Sequence, residues 1–311
     1  MRHLVRDVKA AAILLAFMVL AGWTLTGAQA QDQAPPPQQQ DQGPPQQDQA
    51  PPSFAPDQLD KMVSRIALYP DPLLAQLLAA ATFPDQISDA AKWADEHHYL
   101  RGDDLAHAID EDHLPWDASV QALLPFPSVL DTMASDINWT SDLGNAFLAQ
   151  KQDVMDAVQR MRQKAKDYGY LRSNAQVVVG GGGPYITIDP VDAAYVYVPA
   201  YDPLIVFGPP RPGFFVGGAI GWGFGINLGI AFRPWGWGFT RFDWGGHALY
   251  FHGAPWGRTW VNRRAYVHNY QGFHRYEPGR RVEGHPLIRR DEGERRAAHE
   301  GHARPEEHHR R

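Results

Sequence analysis

Between Gly213 and Phe232 the chain runs twenty residues without a charge, and glycine recurs at every fourth position: Gly213, Gly217, Gly221, Gly225 and Gly229. Only Asn227 in that run is polar. Twenty residues of helix rise about 30 Å, the thickness of a bilayer's hydrocarbon core. Three backbone conformations fit the segment. As a helix, a spacing of four puts all five glycines near one face, where small residues let helices approach closely. Arg211 and Arg233 bracket it. The seven glycines weigh against a helix in water, because each costs about 1 kcal/mol relative to alanine. As a strand, odd positions are small and even positions large, and only Phe215 and Gly218 break the alternation, which is how one apolar strand face reads. A lone pair of strands leaves edges unpaired in lipid, so this reading requires a soluble sheet or an oligomeric barrel. The third conformation is irregular, continuing through Pro234-Trp235-Gly236-Trp237-Gly238-Phe239. The expectation is a glycine-lined, membrane-associated segment of open backbone conformation, with self-association through its glycines.

The start of the chain points to the export pathway. Arg2, Arg6 and Lys9 precede an apolar run from Ala10 to Trp23, and the small-residue triplet Ala28-Gln29-Ala30 follows. That order reads as a secretory signal peptide over residues 1–30, cut after Ala30. The apolar run is short for a spanning helix, although an uncleaved anchor is the alternative. The chain has no cysteine, which excludes disulfides, thiolate zinc sites and lipidation at a cysteine. Charge is uneven: residues 31–172 hold 10 basic and 22 acidic groups, whereas 256–311 hold 13 arginines and 8 acidic groups. Such asymmetry suggests separate modules and a tail able to meet anionic surfaces.

The pattern along the chain predicts an α+β protein. Residues 31–53 are a Pro/Gln-rich spacer with no periodic apolar face, hence no core to offset the entropy of ordering. Residues 54–172 read as a helical domain. Leu59, Met62, Val63 and Ile66 follow helical spacing, Pro70 ends that helix, and Asp71-Pro72 supplies an N-cap and a first-turn proline for the next. Asp103 and Asp117 are further candidate caps. The longest helix is expected from Thr140 to about Tyr168, closed by Gly169. Trp93, Trp116 and Trp139 are expected core anchors. Residues 173–210 read as a small β region, with strands at Val177–Val179, Tyr185–Ile188, Tyr195–Val198 and Leu204–Phe207. Residues 211–255 form the glycine/aromatic segment, and 256–311 are expected to be a disordered Arg/His-rich tail.

A set of motifs in order carries a family resemblance: Leu68-Tyr69-Pro70-Asp71-Pro72 running on to Phe83-Pro84, Trp116-Asp117-Ala118-Ser119-Val120, Gly144-Asn145-Ala146-Phe147-Leu148-Ala149-Gln150, and Tyr197-Val198-Pro199-Ala200-Tyr201-Asp202-Pro203. Over roughly residues 55–208 the chain resembles the bacterial family of domains of unknown function numbered 3300. The resemblance implies an exported or membrane-associated protein. It implies no catalytic residue, so none is carried over.

Motifs for chemistry are sparse. Gly180–Gly183 lacks the Lys-Ser/Thr ending of a phosphate loop, and no Gly-x-Ser-x-Gly elbow is present. No cofactor is expected. Asp110-Glu111-Asp112-His113 has metal-binding residue types but reads as a solvated helix end, and Asp189, Asp192 and Asp202 read as turn residues. Nine of the fourteen histidines lie from His247 onward, where imidazoles can take up divalent metals weakly. The expected partners are membrane lipid or envelope components, not nucleic acid. The expected function is a non-enzymatic, membrane-associated scaffold or interaction protein of the cell envelope. The alternatives are a periplasmic enzyme acting on cell-wall material, with its site around Tyr197 to Asp202, and metal binding by the tail.

Overall fold

A computed structural model describes residues 50–181, 183–210 and 216–266. The expected cleavage residues Ala28 and Ala30, the first ladder glycine Gly213, most of the Pro/Gln spacer and the tail beyond residue 266 lie outside the described residues. The described fold is α+β, with helices α1 (Pro56–Val63), α2 (Asp71–Ala80), α3 (Pro84–Glu96), α4 (Gly102–Glu111), α5 (Ala118–Gln121), α6 (Pro127–Ser135), α7 (Ile137–Ala149) and α8 (Lys151–Asp167) coming first.

Proline sets the starts of several of these helices. It occupies the first turn of α1, α2, α3 and α6, where its missing N–H would lack a helical partner anyway. Two expected caps move. Asp71 lies inside α2, whose cap is Pro70, and Asp103 lies inside the first turn of α4, after Arg101. Asp117 caps α5 as expected, accepting from Ser119 N at 2.9 Å. The single long helix expected after Thr140 is two helices. They part at Gln150, whose φ of −134° is not helical. Its side chain accepts from Phe54 N at 2.7 Å and donates to Asp153 at 2.9 Å, so the break is fixed by a contact 96 residues away in sequence. Glycine at position 144 lets α7 close on the end of α2: a Cβ there would sit 2.0 Å from the Ala81 carbonyl oxygen.

After α8 the chain makes short antiparallel ribbons. Strand β1 (Val177–Gly180) pairs with β2 (Thr187–Pro190). Strands β3 (Tyr195–Val196) and β4 (Pro199–Tyr201) lead to a short helix, α9 (Pro203–Val206). That helix replaces the strand expected at Leu204–Phe207. Asp202 accepts from Leu204 N at 2.8 Å and Pro203 opens the turn, so a cap-and-proline signal overrides the β-branched run.

The described part of the glycine ladder is not helical. It forms a 3₁₀ turn at Val216–Gly218, then β5 (Ile220–Trp222) and β6 (Ile226–Asn227). β5 pairs with β4, and β6 with β3. Strand is found at Ile220–Trp222 and Ile226–Asn227, and the described residues around and between them are turns and irregular backbone. Five of the ladder's large positions turn toward the protein: Leu228 and Phe232 are buried, and Ile220, Trp222 and Ile226 pack against the core, whereas Phe224 and Ile230 are exposed. No helix among the described residues is long and apolar enough to cross a membrane. The aromatic stretch that follows also faces inward. Trp235, Trp237 and Trp244 are buried and donate to Gln121, Ala122 and Asp71 respectively. A three-stranded sheet follows, β7 (Arg241–Asp243), β8 (Ala248–Phe251) and β9 (Ala254–Pro255). Residues 256–266, expected in the disordered tail, instead pack back on the helices. Trp260 N donates to Leu148 O at 2.9 Å, and Arg258 lies 3.8 Å from the centre of the Phe83 ring. Helices and ribbons thus share one hydrophobic core.

Candidate functional site

An ion pair lies in the core, shielded from solvent. Helix α8 repeats apolar residues at Val154 and Val158, and the next position on that face is Arg162, fully buried. Its guanidinium contacts Asp71 at 2.6 Å and donates to the carbonyls of Ala67, Tyr69 and Ile186 at 2.8–3.0 Å. Asp71 also accepts from Trp244 Nε1 at 2.8 Å and from Ile188 N at 3.3 Å. Burial pushes the Asp71 carboxyl above its usual range, and Arg162 opposes that push. Every charge here has a partner, so the cluster ties α2, α8, β2 and β7–β8 together and leaves no group for a ligand.

It also positions a cleft. Arg162 fixes the turn from Ala67 to Tyr69 that follows α1, and this turn forms one wall. A cleft of about 520 Å³ lies between that turn, α6, β4 and the β5–β6 connection. Pockets of roughly 300–1,000 Å³ are the usual size for small ligands. Arg65 stands at one side, paired with Asp136 at 2.8 Å and stacked over Trp139. Ser128 and Thr132 come from α6. Tyr201 is anchored, donating to Ser64 O at 2.9 Å and accepting from Leu68 N at 3.4 Å. Tyr69 is only 5% exposed and lines the cleft, and its hydroxyl has no hydrogen-bond partner among the described residues. Burial raises the Tyr69 phenol to about 12 and Tyr201 well above its usual value. Both therefore keep their protons at neutral pH: Tyr201 donates its own to Ser64 O, and Tyr69 has one to give. Among the described residues no carboxylate lines the cleft.

The rim is made by a register shift in the glycine ladder. Tyr201 pairs with Ile220 and Pro199 with Trp222, but Val196 pairs with Ile226. Three residues, Gly223, Phe224 and Gly225, thus face two, Tyr197 and Val198. An extra residue on one strand bends the ribbon and leaves that residue unpaired, and Phe224 is 98% exposed on the edge of the cleft. Gly225 has no room for a side chain, since a Cβ there would lie 2.8 Å from the Tyr197 ring. Gly229 has φ +52°, which glycine adopts freely. The ladder glycines accordingly have separate local roles: Gly217 lies in the 3₁₀ turn, Gly221 in β5, Gly225 beneath Tyr197 and Gly229 in a turn.

Three of the motifs quoted for the resemblance supply residues of the ion pair, the cleft wall and the helix packing. Tyr69 and Asp71 come from the first, Gly144 and Gln150 from the third, and Tyr201 and Asp202 from the last. The match to the family described as "Protein of unknown function (DUF3300)" runs over residues 55–280, past the end of the ladder. The chain belongs to the DUF3300 family. This DUF3300 chain is similar to the "Uncharacterized protein YacH" of Escherichia coli (strain K12), 33% identical over 224 aligned positions that cover 58% of this chain and 36% of that relative. It therefore spans about a third of that curated relative's length. No solved structure matches.

Sequence reading placed the region of interest near Tyr197 to Asp202 but did not find Arg65, Tyr69, Phe224 or the Arg162–Asp71 pair. Arg162 carried a signal, an arginine at the i+4 position of an apolar stripe. Phe224 carried none, because a bulge depends on the partner strand. Asp192 and Asp202 do act in turns, accepting from Ala194 N and Leu204 N. Asp112, from the acidic run, accepts from Trp93 Nε1 at 2.6 Å. Among the described residues no group of three or more His, Asp or Glu side chains is placed to hold a metal ion.

Proposed function

We propose that this DUF3300 protein is an exported component of the bacterial cell envelope, a non-enzymatic and membrane-associated scaffold or interaction protein. The observation that carries this reading is Phe224. A phenylalanine 98% exposed, held out between two glycines beside a cleft, offers its ring to a partner. Ile230, 74% exposed on the same segment, adds apolar surface. The cleft supplies hydroxyls, one guanidinium already paired, and apolar walls. A glycan-hydrolysing site instead uses two carboxylates across the bond it breaks, and the cleft lining has none. Holding a partner is therefore favoured over cutting one. Export is supported by the order of charge, apolar run and Ala28-Gln29-Ala30 at the start of the chain. Fractionation of cells with N-terminal sequencing of the protein tests the reading. The expected result is a chain beginning at Gln31 in the envelope fraction. A chain that keeps its first thirty residues and stays in the cytoplasm would contradict it.

A further inference from the structure

We infer that the Phe224-rimmed cleft binds a neutral, β-linked glycan strand bearing N-acetyl groups. Two independent observations point to a ligand. The first is the Tyr69 phenol, nine-tenths buried, facing the cleft and without a hydrogen-bond partner among the described residues. The hydroxyl itself meets solvent in the cleft, where an arriving acceptor can take its hydrogen bond. The second is Phe224, whose ring is almost wholly accessible at the rim.

The chemistry selects the ligand. A β-linked pyranose is flat, with axial C–H bonds on its faces and hydroxyls around its edge. Such a face covers an exposed phenyl ring, removing apolar surface from water. An acetamido group brings a carbonyl to accept from Tyr69 and a methyl to meet Val198 and Ile226 on the cleft wall. Ser128 and Thr132 also line the cleft, where Thr132, whose hydroxyl donates to Ser128 O at 2.8 Å, can accept from a sugar hydroxyl. An anionic ligand fits less well, because Arg65 is already neutralised by Asp136 at 2.8 Å. The volume of about 520 Å³ suits a short run of sugar rings.

The inference rests on the proposed envelope location for its access to such a strand, but its test does not. Isothermal titration of the purified full chain with tetra-N-acetylchitotetraose should give saturable binding. Phe224→Ala should weaken it tenfold or more, and Tyr69→Phe about tenfold, the effect of one hydrogen bond to a ligand. Tyr69→Phe removes only a hydroxyl that bonds to nothing described, so its melting temperature should stay within a degree or two of the native chain. Three outcomes would overturn the inference: no saturable binding, binding that neither substitution changes, or Phe224-dependent binding to phosphatidylglycerol vesicles without binding to the sugar. The last would identify a lipid surface instead. N-terminal processing in cells is read separately, so a failed titration leaves the export reading standing, and unprocessed protein leaves the titration interpretable.

Discussion

At the scale of single residues, the Arg162–Asp71 pair shows how far an ion pair can be tied into a backbone. A buried pair is often replaceable by apolar side chains with little loss, because desolvation cancels most of the attraction. Here Arg162 also satisfies three carbonyls, those of Ala67, Tyr69 and Ile186, and an apolar pair would strand those of Ala67 and Tyr69, while Ile186 O keeps Gln159 Nε2 at 3.1 Å. Arg162→Met is thus expected to cost about 3–5 kcal/mol, lowering the melting temperature of a fold this size by roughly 10 °C. Asp71→Asn should cost less, since asparagine retains an acceptor for Trp244 Nε1. Combining the two should give no recovery. Thermal denaturation of the single and double variants at neutral pH checks this, and a double variant within about 1 kcal/mol of the native chain would show that the carbonyls find other partners.

Elements show where reading along the chain works and where it stops. Helix existence was legible because it is local: apolar spacing, proline at the first turn, and glycine at the end of α8, where Gly169 has φ +77°. The break at Gln150 was not, because Phe54 creates it from across the fold. Leu204–Phe207 misled because β-branched residues invite a strand until Asp202-Pro203 is weighed as a helix start. The glycine ladder left helix and strand open for a simple reason: four is a multiple of two as well as near the helical turn. Pairing with β3 and β4 decides it. Gly144 gives the sharpest element-level test. An alanine there would press on the Ala81 carbonyl, and the overlap should outweigh the better helix propensity of alanine. Gly144→Ala is expected to destabilise by about 2–3 kcal/mol in a denaturant melt. A stabilised variant would mean that α7 and α2 do not approach as closely as described.

For the molecule as a whole, composition alone separated an acidic helical half from an aromatic, glycine-rich half, and suggested that the second belongs to a membrane. The fold joins them. Trp235, Trp237 and Trp244 fill the helices' core, and the ribbon carrying the glycines lies against it. The apolar character of residues 213–232 is therefore spent largely on the protein's own interior, with Phe224 and Ile230 left outside. The candidate site was half visible in the sequence: the Tyr197–Asp202 motif marks one wall, while the opposite wall and the rim come from residues more than 130 and about 20 positions away, which only the fold brings together. A ribbon paired with β3 and β4 keeps both its flanks on the same side of any membrane and presents Phe224 there. The chain has no cysteine, so single cysteines report cleanly. Leu204→Cys and Phe239→Cys, both at exposed positions flanking the segment, should react with a membrane-impermeant maleimide from the same side of sealed envelope vesicles, and Phe224→Cys should react with them. Labelling of the two flanking positions from opposite sides would contradict the account.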